Sequence, residues 1–197
     1  VITYTIDNSL YLNITNRCTC DCNFCVRNSP AGLGEYNLWL EREPTVKEVL
    51  DDIEKRDLSQ CREIVFCGYG EPMIRLYDLI EISKKIKGRY NLPIRVNTNG
   101  HGSLIFNRDI TPLLEGWINT ISISLNAKNA KEYQGLCKPV YGEKAFPAVL
   151  DFAAKCKKYI PRVVLSVVNV ISVEDIEACR ELAQQIGVEF RVRHFGG

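Results

Sequence analysis

Apolar runs rich in β-branched residues alternate with amphipathic stretches along nearly the whole 197-residue chain. Leu10 to Thr15, Glu63 to Cys67, Pro93 to Thr98, Thr120 to Asn126, Val163 to Val170 and Glu189 to His194 read as six strands. Between them, Val46, Val49, Leu50 and Ile53 fall at i, i+3, i+4 and i+7, one face of a helix starting near Thr45. Leu76, Leu79, Ile80 and Ile86 predict a second helix stopped at Gly88. Further helices are expected at Ala130 to Gly135, at Ala148 to Lys158 with Pro147 in the first turn, and at Glu174 to Ile186 closed by Gly187. Strict strand and helix alternation implies an α/β fold of parallel strands joined by right-handed crossovers. Such a sheet is either open and doubly wound or a curved, partial barrel. In both, ligands gather at the carboxyl ends of the strands.

That edge collects the unusual residues. Cys18, Cys22 and Cys25 follow the first strand in the order Cys-x-x-x-Cys-x-x-Cys. Three thiolates on one short loop can hold three irons of a 4Fe-4S cube, leaving the fourth iron open to a small molecule. Two other readings stand beside this one: packing cysteines, and a zinc site completed by Cys20, in which the Cys18, Cys20, Cys22 spacing crowds the tetrahedron. The same edge carries Gly68-Tyr69-Gly70-Glu71-Pro72, then Asn97-Thr98-Asn99-Gly100-His101, Ser124 and Asn126, Asn169, and Arg193-His194.

The length suits one domain over residues 1–197 with a sizeable core. A net charge of +1 argues against a nucleic-acid partner or polybasic membrane anchor, and there is neither a long apolar span nor a signal-peptide pattern. Nine cysteines are then expected to be reduced thiols and metal ligands in a cytoplasmic protein. The chain starts at Val1 rather than Met, so leading residues are expected to be missing or processed.

With Cys18-x-x-x-Cys22-x-Phe24-Cys25, the Gly68 to Pro72 stretch and the Asn97 to Gly100 turn in view, the sequence resembles radical S-adenosylmethionine (radical SAM) enzymes, with a partial (β/α)6 barrel. The runs RVNTNGHG and SISLNA further resemble a small subfamily associated with TatD-type nucleases. The resemblance implies two cofactors, a 4Fe-4S cluster on Cys18, Cys22 and Cys25 and S-adenosylmethionine (SAM) on the open iron. It implies a low-potential electron donor such as flavodoxin or ferredoxin, reductive SAM cleavage to a 5′-deoxyadenosyl radical, and hydrogen abstraction from an unidentified substrate. A functional link to a TatD-type hydrolase is implied too. Glycyl-radical-enzyme activases and deazapurine-forming cyclases are neighbouring enzyme readings. An Fe-S electron carrier and a zinc-stabilised interaction domain are the non-enzymatic ones.

Cofactor contacts are expected at Phe24, Gly68, Tyr69, Gly70, Glu71, Asn97, Thr98, Asn99, Ser124, Asn126, Asn169 and His194. Gly68 and Gly70 would let their backbone approach the SAM amino group, so Gly70→Val should spare the cluster but weaken SAM binding. Glu71 either holds that edge or is a turn residue before Pro72, and Phe24 either meets adenine or packs in the core. Ser124, Asn126 and Asn169 would reach ribose, unless satisfied locally. Cys20 is expected to be a spectator thiol. Cys137 is a weak catalytic candidate, and Cys61, Cys67, Cys156 and Cys179 are packing residues. Arg27, Arg191, Arg193, His101 and His194 could each bind a substrate anion or the SAM carboxylate. The loop from Asn28 to Glu43, with Gly32, Gly34 and Trp39, is either a lid or a wrapped connection.

Overall fold

The computed structural model describes residues 1–28, 33 and 36–195. Seven strands form a single sheet in sequence order: β1 (Thr3–Ile6), β2 (Ser9–Leu12), β3 (Glu63–Phe66), β4 (Ile94–Thr98), β5 (Thr120–Ser124), β6 (Arg162–Val168) and β7 (Glu189–Arg193). The six strands from β2 to β7 are parallel, as the alternation predicts. One strand more is present than expected. β1 pairs antiparallel with β2, Thr3 opposite Leu12 and Ile6 opposite Ser9, through a turn at Asp7 and Asn8 in which Asp7 takes φ +49°. The apolar run read as Leu10 to Thr15 keeps strand pairing only to Leu12; beyond it the chain turns toward the cysteine loop.

Helices α1 (Val46–Glu54), α2 (Leu76–Arg89), α4 (Ala130–Cys137), α5 (Ala145–Cys156) and α6 (Val173–Ile186) link the strands, with a short α3 (Gly102–Ile105) after β4. Local chemistry sets several ends. Thr45 and Glu48 form a reciprocal capping box on α1, and Ser172 caps α6, which Gly187 closes at φ +80°. Two expectations are corrected. Gly88 does not stop α2 but lies inside it, because Lys87 and Arg89 stay solvated while Ile86 remains buried, and the helix ends where Tyr90 becomes extended. Pro147 is the third residue of α5, which starts earlier, at Ala145.

The sheet is two-faced. Leu10 and Leu12, Ile64 and Phe66, Ile94 and Val96, Ile121 and Ile123, and Leu165 and Val167 are buried against the helices in one continuous core. Their neighbours alternate onto the concave face, where Tyr11, Glu63, Arg95, Asn97, Ser122, Ser124, Arg191 and Arg193 line a cavity of about 490 Å³. At the β1 side Tyr4, Leu38 and Tyr69 form a separate apolar cluster, with the Tyr4 and Tyr11 rings stacked at 5.0 Å. No described helix is long and apolar enough to cross a membrane.

Candidate functional site

The cysteine loop is built onto the end of α4. A helix leaves its last carbonyls without intrahelical donors, and here the loop supplies them. Asp21 N–H donates to Cys137 O at 3.0 Å and Asn23 N–H to Leu136 O at 2.9 Å, while the Asn23 amide reaches Gly135 O at 3.1 Å. In return Val140 N–H donates to Thr19 O at 2.9 Å. Lys138, left-handed at φ +45°, turns the chain back so that both strands of this contact can form.

Sulfur lies along this seam. Cys18, Cys22 and Cys25 are half-buried, and Cys20 and Cys137 are buried. The hydrogen bond from Cys137 and another from Cys20 hold the Cys22 thiol down at about 4, and Cys20 lowers Cys18 in the same way. The Cys20 and Cys137 thiols are pushed up, first by those hydrogen bonds and then by burial. Two of the three expected ligands are thus shifted toward the thiolate, and the two extra thiols away from it. Among the described residues no three Cys, His, Asp or Glu side chains already stand around one point. As a donor set, three cysteines of one loop at the carboxyl edge of the sheet fit an iron-sulfur cluster, whose ligands are thiolates. Cys25 is raised by burial, so it gains from a metal what its surroundings withhold.

Behind the sulfurs runs a buried polar chain. The Asn99 amide lies 3.8 Å from Cys18 Sγ and 3.7 Å from Cys20 Sγ and donates to Thr19 Oγ1 at 2.9 Å. Thr19 Oγ1 meets His101 Nδ1 at 2.7 Å, and His101 Nε2 meets Tyr133 Oη at 2.8 Å. His101 is fully buried, and burial holds it down at about 4, so it is a neutral structural residue and not an anion ligand. Thr19 and Tyr133 were not singled out from sequence; Tyr133 is one aromatic on a helix, which nothing local distinguishes.

Glu71 is 2 % exposed and holds two loops together. It accepts from Met73 N–H at 2.9 Å, Thr98 Oγ1 at 2.7 Å and Asn99 N–H at 2.6 Å, and burial pushes it up to about 7. The Thr98 hydroxyl thus donates to Glu71 and accepts from Gly100 N–H at 3.1 Å. Tyr69 is likewise drawn off into the apolar cluster, against Trp39 at 5.1 Å. Phe24 is half-buried against the main core.

Packing by itself requires both glycines. A Cβ on Gly68 would lie 2.0 Å from Asn13 Oδ1, and one on Gly70 would lie 2.4 Å from Thr15 O and 2.5 Å from Arg17 O. Both allow the turn after β3 to press on the segment leading into the cysteine loop, so the side chain that glycine omits would strike protein. Asn13 itself donates to Val1 O and Leu38 O, which leaves its Oδ1 a buried acceptor without a donor among the described residues. Nothing local in the sequence marks Asn13; the orphaned atom draws notice to it.

The other expected contacts divide. Asn97, Ser124 and His194 line the cavity, and Gly68 borders it. Asn169 is exposed beside His194, with Nδ2 and Nδ1 3.2 Å apart. Asn126, at φ +61°, is buried, accepting from Val168 N–H at 3.3 Å and lying 4.0 Å from Cys137 Sγ. Arg27, its side chain largely buried, pairs with Asp21 at 3.0 Å and reaches Cys20 O at 3.5 Å. Gly32 and Gly34 of the expected lid lie outside the described residues, so only Trp39 of that trio has a place, half exposed over Tyr69.

Three likenesses bear on this arrangement. The GTP 3′,8-cyclase of Aquifex aeolicus is 29 % identical over 129 residues, 64 % of this chain and 38 % of that protein. The tungsten-containing aldehyde ferredoxin oxidoreductase cofactor-modifying protein of Pyrococcus furiosus is 29 % identical over 122 residues, 59 % of this chain and 30 % of its own. The chain thus spans about a third of the length of these curated relatives. The crystal structure of methylornithine synthase superposes with a TM-score of 0.66 at 14 % identity, over 95 % of this chain and 53 % of that one, a likeness of fold. Residues 12–186 match the radical SAM superfamily, from β2 through the cysteine loop to the end of α6, and the chain belongs to that superfamily, whose enzymes use a 4Fe-4S cluster and SAM.

Proposed function

We propose that this chain is the core of a radical SAM enzyme, one domain over residues 1–197, that binds a 4Fe-4S cluster through Cys18, Cys22 and Cys25 and cleaves SAM reductively. The observation that carries the reading is the cysteine loop itself: it brings Cys18, Cys22 and Cys25 together in the order Cys-x-x-x-Cys-x-x-Cys and caps α4 at the carboxyl edge of the sheet. When bound, the two cofactors supply a primary carbon radical able to take a hydrogen atom from substrate.

The residues around the loop bind, orient and shield. The Asn99 amide directs its N–H toward Cys18 Sγ, stabilising negative charge on that sulfur. The backbone of Gly68 to Gly70 offers acceptors for the ammonium of SAM, Gly68 lining the cavity. Asn97, Ser124, Asn169 and His194 offer polar contacts on the concave wall, and Phe24 packs beside the loop. Glu71, Thr98, Tyr69 and Asn126 act behind them by fixing loop positions. Cys137 is a loop-packing thiol. A low-potential flavodoxin or ferredoxin is the electron donor in this reading, the compartment is the cytoplasm, and RVNTNGHG and SISLNA support a functional link to a TatD-type hydrolase.

The test is anaerobic reconstitution with iron and sulfide, then SAM and dithionite. Iron, sulfide and 5′-deoxyadenosine are expected together. Cys22→Ala should lose the iron, whereas Cys20→Ala should keep it. A protein that binds zinc in place of iron, or holds a cluster but yields no deoxyadenosine with SAM, would overturn the proposal.

A further inference from the structure

We propose that Arg191 and Arg193, with Ser124, form an oxyanion subsite on the β7 wall of the cavity, so that the substrate carries a carboxylate or a phosphate. The inference rests on the reading above and names the class of molecule it acts on.

Of the five cationic candidates legible in the sequence, the fold withdraws three. Arg27 is already paired with Asp21, His101 is buried and neutral, and His194 is joined to Asn169. The other arginine of the cavity, Arg95, is already matched: Nε meets Glu63 Oε2 at 3.1 Å and Nη2 meets Glu63 Oε1 at 2.8 Å, a fork on a carboxylate. Arg191 and Arg193 remain. They are two residues apart on one strand, so both side chains project from the same face, and both line the cavity.

Neither has an acidic partner among the described residues. Arg193 donates to Ser124 Oγ at 3.0 Å, and its Nε is buried with no acceptor among the described residues. A guanidinium withdrawn from water without a counter-charge is costly, and burial does push Arg193 down from its ordinary value. An oxyanion would meet the idle donor and neutralise the charge, and a planar guanidinium suits carboxylate or phosphate. Arg191 lies about 6 to 7 Å deeper along the strand than Arg193, measured from the edge that bears the cysteine loop. That depth places the pair toward a molecule lying further into the cavity than one held at the loop.

The experiment titrates reconstituted, SAM-loaded protein with inorganic phosphate and, separately, with acetate, by calorimetry at constant ionic strength. Wild type should bind at least one of them, and the tighter of the two identifies the acid group. Arg191→Met and Arg193→Met should each weaken that binding by about tenfold, with SAM affinity unchanged. Arg191 is solvent-exposed, so its variant tests the idea without risk to folding. Wild type that binds neither anion, or variants that bind both as wild type does, would overturn the subsite. A parallel loss of SAM affinity would overturn it too, assigning the arginines to the cofactor's carboxylate. Because the titration can be run on protein lacking cluster and SAM, failure of the radical reading would show separately, as absent iron or absent deoxyadenosine.

Discussion

His101 is held at both ring nitrogens, Nδ1 by Thr19 Oγ1 at 2.7 Å and Nε2 by Tyr133 Oη at 2.8 Å. Tyr133→Phe would strand the buried Nε2, costing about 1 to 3 kcal/mol of stability in urea unfolding at neutral pH. An unchanged midpoint would mean Nε2 finds another partner. Acid should act on the same residue. Its folded value near 4 lies below the ordinary 6.5, so its contribution is whole above 6.5 and is lost as pH falls toward 4, about 3 kcal/mol in all. Glu71, raised to about 7, tilts the profile the other way, losing its contribution as pH climbs from 4.5. The histidine's share is therefore the difference in slope between wild type and His101→Asn; parallel slopes would refute it. At Gly70 an added side chain would first meet Thr15 O and Arg17 O. Gly70→Ala should lower the iron retained after reconstitution, and full loading would show that the loop can yield.

Helix α2 offers the simplest test among the elements. Gly88 is exposed inside the helix, and a Cβ there would meet nothing within 4 Å, so Gly88→Ala should raise stability by about 0.5 to 1 kcal/mol. A loss would mean the last turn is not helical in solution. The same helix shows why the sequence was legible in some places and not in others. The alternation of Ile121 and Ile123 with Ser122 and Ser124 fixed both the strand and its faces, because a buried and a solvated side leave a period of two. Gly88 misled because glycine near a plausible end looks like a cap, while the decision lay with Ile86 packing into the core. β1 escaped notice because four residues beside a two-residue turn carry little periodicity, and what holds them is register with β2 and the Tyr4 and Tyr11 stack. In the site, cysteine spacing is local and could be read. Thr19, Tyr133 and the orphaned Asn13 could not, since their meaning comes from partners up to 114 positions away, as between Thr19 and Tyr133 through His101.

At the scale of the whole molecule, the cysteine loop and α4 are one unit although more than a hundred residues separate them in the chain. Three backbone amides, of Asp21, Asn23 and Val140, cross between the loop and the end of α4, and the Asn23 side chain adds a fourth contact. Whatever immobilises the loop must therefore also hold the last turn of α4, because those carbonyls have no other donors in the helix. A cluster fixing three cysteines of the loop does so directly, and binding energy for the native loop geometry appears as local stability. Hydrogen exchange should then slow at Asp21, Asn23 and Val140 on cluster loading, together with the C-terminal turn of α4. Amides of β6, whose ladders to β5 and β7 are complete without the loop, should not change. Removing the iron with a chelator should restore the faster exchange at the seam alone. Uniform slowing across the sheet would instead make loading a global stabilisation, and no change at the seam would mean that helix and loop are already locked before any metal arrives.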